Sequence, residues 1–84
     1  MSDVSDTLNE RGSTYGRYTK TSEISQNIKW AIRNTAGWSG LSSDKKESLE
    51  MIAIKMARIV NGDPEYADNW HDIAGYAKLI EDEL

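Results

Sequence analysis

The feature that most constrains this chain is the stretch from Leu49 to Pro64, "LEMIAIKMARIVNGDP". Leu49, Ile52, Ala53, Met56, Ile59 and Val60 recur at the 3.6-residue spacing of one wide helical stripe. Gly62 is a helix stop, Asp63 can cap a new helix, and Pro64 fits its first position, where a missing N–H costs nothing. Two helices joined by so short a turn pack antiparallel. The spacing therefore predicts a helical hairpin of about 44–61 and 64–83, with Tyr66, Trp70, Ile73, Ala77 and Ile80 as the apolar stripe of its second arm.

The remaining sequence extends this all-α reading. "TSEISQNIKWAIRNTA" predicts a first main helix over about 22–36, capped by Thr21 or Ser22, with Ile24, Ile28, Ala31 and Ile32 on one face. "GWSGLSS" at 37–43 reads as a connection from which Trp38 and Leu41 fold back on the core. Ser43 or Asp44 can cap the next helix, Asp44 and Glu47 standing at capping-box spacing. Residues 1–20 are polar and read partly as loop, with room for a short helical turn from Ser5 to Arg11 and with Tyr15 and Tyr18 available for docking. No strand pattern, repeat or low-complexity tract interrupts the chain, and residues 1–84 read as a single small domain of three main helices.

Composition sets the limits of function. An 84-residue chain buries too little surface to be comfortable alone, and without cysteine it has no disulfide or thiolate zinc to help. One histidine excludes a His-rich metal centre. The formal charge is −4, with 14 acids against 10 bases, which argues against a nucleic-acid backbone binder. No run has transmembrane length and no signal-peptide pattern appears, so the expectation is a soluble cytoplasmic protein. The apolar surface left by a hairpin plus one helix implies a homodimer.

The residues that can carry chemistry lie on the hairpin. Glu47 and Glu50 are three apart on one arm; Asp68 and Asp72 are four apart on the other. Such pairs share a helical face, and two facing pairs can converge on a hard cation such as Mg²⁺. The alternative is equally physical: Glu47 sits in a first turn, where acids offset the helix dipole, and Glu50 and Asp72 can be solvated. Lys55 and Arg58 can contact phosphates or pair with acids across the hairpin, and Tyr76 can close a pocket or sit at a rim. His71, beside Trp70 on the core stripe, is expected to face outward. Gly75 inside a helix costs about 1 kcal/mol relative to alanine. Together with Ala74 it marks a close approach by a helix, a partner chain or a ligand.

"ERGSTYG" at 10–16, "ESLEMIAIKMARIVNGDP" at 47–64 and "DNWHDIAGYAKLIEDEL" at 68–84 resemble a group of small phage and prophage proteins. More remotely, the acids of 47–50 followed by "DNWHDIAGYA" are similar to the MazG-like all-α nucleotide pyrophosphohydrolases. That resemblance implies a dimeric helical bundle handling a nucleotide with Mg²⁺. Glu47, Glu50, Asp68 and Asp72 would be the metal ligands, Lys55 a phosphate contact and Tyr76 a pocket wall. The chain departs from the pattern where Lys46 and Ser48 flank Glu47 in place of a dense acidic cluster, and where Arg17 follows "TYG" in place of an acid. These departures favour nucleotide binding over efficient hydrolysis. The alternative is a phage interaction protein that binds a host protein.

Overall fold

The computed structural model describes residues 4–84, and it is all-helical over them. Four helices follow in order: α1 (Val4–Tyr15), α2 (Tyr18–Arg33), α3 (Ser43–Asn61) and α4 (Ala67–Glu81), with a short 3-10 turn, Trp38–Gly40, between α2 and α3. The N-terminal region is more helical than its polar composition suggests. α1 runs to Tyr15 rather than Arg11, and only Gly16 and Arg17 separate it from α2. Among the described residues no helix is long and apolar enough to cross a membrane.

α3 is the central helix, with α2 on one side and α4 on the other. Two ion pairs fix these sides. Glu50 holds Arg33 of α2 through two hydrogen bonds, Arg33 Nε–H to Oε1 at 3.0 Å and Nη2–H to Oε2 at 2.7 Å. Lys55 reaches Asp72 of α4 at 2.9 Å. Since Lys55 precedes the linker and Asp72 follows it, α3 and α4 are antiparallel, as the short turn requires. Thr21, near the start of α2, meets Asn61 at the end of α3, so α2 is antiparallel to α3 as well.

A central helix in a layer buries two opposite sides, and this splits its wide apolar stripe. Ala53 and Ala57 lie on the Glu50 side, and Ile59 on the Lys55 side; these three are the buried apolar residues among those described. Leu49, Met56 and Val60, at i, i+7 and i+11, fall between the two sides and remain 41%, 43% and 71% exposed. The opposite face of α3 carries Ile54 and Arg58, over which α1 and the start of α2 pass.

The hairpin linker differs from its sequence reading. Asp63 does not cap a helix starting at Pro64; its Oδ1 accepts the Glu65 N–H at 2.9 Å, and α4 starts at Ala67. That Asx-type turn replaces the first turn of the expected helix, and of the expected stripe Tyr66, Ile73 and Ile80 are half-buried while Trp70 and Ala77 are exposed. Asn69 is buried, at 1% exposure, whereas Trp70, expected in the core, is 55% exposed with its indole N–H donated to the Pro64 carbonyl at 2.9 Å. α2 starts at Tyr18, four residues before its expected start, and ends at Arg33; Thr21, an expected cap, lies inside it with its hydroxyl donated to the Tyr15 carbonyl. Neither Ser43 nor Asp44 is the cap of α3: the N-cap position falls on Ser42, whose hydroxyl donates to the Asp44 carboxylate and makes no capping bond.

Candidate functional site

The "STYG" end of α1 and the "NGD" end of α3 build one structure. Gly16 has φ +82°, a left-handed conformation that favours glycine, and a Cβ there would overlap the Asn61 carbonyl. Gly62 is pressed as tightly against the backbone of Thr14 and Tyr15. The Asp63 N–H donates to the Thr14 carbonyl at 2.8 Å across this crossing. Thr21 Oγ1–H donates to the Tyr15 carbonyl at 2.9 Å and accepts Asn61 Nδ2–H at 3.1 Å. The carbonyls freed at the end of α1 thus find donors on α2 and on the linker between α3 and α4.

Tyr15 is the hub of this junction. Its ring meets Tyr66 edge-on, with centroids 5.7 Å apart and planes at 80°. The Arg58 guanidinium lies 4.6 Å from the ring centroid and that of Arg11 lies 5.5 Å from it, both in cation–π range. Tyr15 first, and then Asp68, push the pKa of the Tyr66 hydroxyl up to about 12. It therefore stays protonated and donates to Asp68 Oδ2 at 3.1 Å.

Held this way, α1 folds back along α2 and leaves a cleft of about 700 Å³ between them. Leu8 and Arg11 of α1 form one wall, Ser22 and Lys29 of α2 the other, with Arg17 at the connection and Ile54 and Arg58 of α3 at the floor. Four cationic side chains line the cleft, and none of the described residues lining it is acidic. On a chain of net charge −4 this is a local reversal of sign. A concave, partly apolar wall focuses such a field on an anion.

The acids expected to gather are dispersed. Glu47 is exposed, and among the described residues it forms no ion pair. Glu50 is held by Arg33, which keeps its carboxyl below the ordinary glutamate value. Asp72 is likewise held below the ordinary value by Lys55, and Asp68 accepts from Tyr66. Among the described residues no group of three or more His, Asp or Glu side chains is placed to hold a metal ion. The four carboxylates thus do not fit a common Mg²⁺ within one chain. The reason lies in their placement: Glu50 pairs with Arg33 on the α2 side of α3, whereas Asp68 and Asp72 belong to α4 on its other side.

The other expected residues divide. Arg58 reaches the cleft; Lys55 is buried between α3 and α4 and committed to Asp72; Tyr76 is half-buried on the inward side of α4. His71 is exposed, as expected. Gly75 and Ala74 are exposed, and nothing lies within 4 Å of a Cβ placed on Gly75, so no described helix of this chain approaches it. Arg11 and Lys29 line the cleft without being singled out by the sequence motifs, and Arg17 stands out there only as a departure after "TYG". Their signal is the charge balance of residues 10–33, five bases against two acids in an acidic chain.

No curated protein and no solved structure matches the chain. A family model described as "Domain of unknown function (DUF6378)" matches residues 1–83, and the chain belongs to that family.

Proposed function

We infer that this protein binds a nucleotide, or a closely related phosphate-bearing small molecule, in the cleft between α1 and α2. The observation that carries this reading is the lining of a ligand-sized space by Arg11, Arg17, Lys29 and Arg58 and by no described acid. Guanidinium groups bind phosphate oxygens through paired N–H donors, and the exposed Tyr18 offers a ring for a base. The resemblance to MazG-like proteins supports the choice of a nucleotide among phosphate compounds. Binding without efficient hydrolysis fits an acid set that does not gather, with Glu50 and Asp72 each paired with a cation of the fold. Mg²⁺ enters this reading as the counter-ion a nucleoside triphosphate brings, not as an ion held by Glu47, Glu50, Asp68 and Asp72. The reading places the protein in the cytoplasm of a host cell, as a phage-type protein acting as a homodimer.

The test is calorimetric titration with nucleoside triphosphates and with pyrophosphate, each with and without Mg²⁺. Saturable binding is expected in both conditions. Arg17→Ala and Lys29→Ala should each weaken it about tenfold, the worth of one charge-assisted hydrogen bond. Absence of any saturable heat at millimolar ligand overturns the reading.

A further inference from the structure

The face of the helical layer opposite the cleft has no occupant among the described residues. Leu49, Met56 and Val60 form its central stripe, with Ile52 half-buried among them. α4 extends it. Asp72 meets Lys55 on the cleft side of the layer, and Trp70, two residues away, projects from the other side of α4. Its ring is held by the bond to the Pro64 carbonyl, so a large aromatic group is fixed in place while more than half exposed. Ala74 and Ala77 follow Trp70 at i+4 and i+7 and are exposed too.

We propose that this face, centred on Met56, Val60 and Trp70, is the surface on which a second copy of the chain packs. The proposal rests on the homodimer of the proposed function and supplies its surface, which is not the Gly75 side of α4. Three observations select a second copy over another partner. The stripe of Leu49, Met56 and Val60 is uncharged, so two copies of an acidic chain can meet there without like-charge repulsion. The accessible surface is 6099 Å². A monomer of this mass exposes about 5,000 Å², and the excess is comparable with the roughly 800 Å² that each partner buries in a standard interface. Finally, Ala53, Ala57 and Ile59 make a very small buried apolar core for a chain without cysteine. A second copy completes such a core at fixed stoichiometry, since it accompanies every chain that is made.

Two-fold packing of this face turns the two clefts outward, away from the contact. Sedimentation or light scattering should give the mass of a dimer at micromolar concentration. Met56→Glu and Val60→Glu should each raise the dimer dissociation constant at least tenfold. Leu79→Glu serves as the control, since Leu79 is comparably exposed but seven residues beyond Asp72, on the cleft side of α4. Helical circular dichroism at high concentration separates dissociation from misfolding. Should Met56→Glu fail to fold, Val60→Cys, in a chain that otherwise has no cysteine, gives a labelling test: protection that disappears on dilution supports the contact. A wild-type chain that stays monomeric and folded at all concentrations overturns the proposal and leaves the face to a different protein. A dimer indifferent to both glutamates overturns the surface while sparing the dimer. Nucleotide titration of the same samples reports on the cleft independently.

Discussion

At the residue scale the glycines separate cleanly by their surroundings. Gly16→Ala puts a Cβ into the Asn61 carbonyl at a positive φ, and should lower unfolding free energy by at least about 2 kcal/mol in urea titrations. Gly75→Ala meets nothing in the chain and removes a flexible residue from a helix interior. It should raise stability by about 0.5–1 kcal/mol in the same measurement. A loss there would mean that something does approach Gly75. The ion pairs set the pH dependence. Asp72 and Glu50 have folded-state values depressed by Lys55 and Arg33, and Asp44 by the Ser42 hydroxyl. Their stabilising effect is therefore complete above the unfolded carboxylate values and is lost as pH falls through the folded ones. Thermal midpoints should hold from neutrality to about pH 5 and fall below about pH 4. Asp72→Asn strands a Lys55 side chain that is only 10% exposed, so it should lower the midpoint at pH 7. That deficit should shrink in acid, where the parent chain has also lost the carboxylate charge.

At the element scale, α3 and α4 are legible because strong 3.6 periodicity and the Gly-Asp-Pro signal agree with each other. Periodicity does not convey that α3 lies in the middle of a layer. Its stripe spans two buried sides and one open one, and a single sequence cannot say which residues fall in the gap. Trp70 departs from its expected place for a local reason: the Asp63 turn replaces the first turn of the expected helix, and the Trp70 indole is bonded back to the Pro64 carbonyl while Asn69 faces inward. The acids of the candidate metal site are legible as helical neighbours, but their partners Arg33 and Lys55 become visible only once the helices are side by side. α1 is the least legible element, since its contacts run through backbone and Tyr15 rather than through an apolar face. Tyr15→Ala removes the ring contact with Tyr66 and both guanidinium contacts. It should strip amide-exchange protection from α1 while α3 and α4 keep theirs.

At the scale of the whole molecule, the layer has two unlike faces: a cationic cleft under α1 and an apolar surface across α3 and α4. If the second is covered by another copy, folding is coupled to association. The thermal midpoint should then rise with protein concentration, which a dilution series by calorimetry measures directly. The crossing of Gly16 and Gly62 bears on the order of these events. The bond from Asp63 to Thr14 closes a loop of 49 residues, from 63 minus 14, and joins two helix ends that are far apart in the chain. Such a loop is costly to close before the helices inside it have formed. α2, α3 and α4 can assemble first, and α1 is then pinned over them. The cleft exists only after that last step, so during refolding helical signal should recover before the ability to take up ligand.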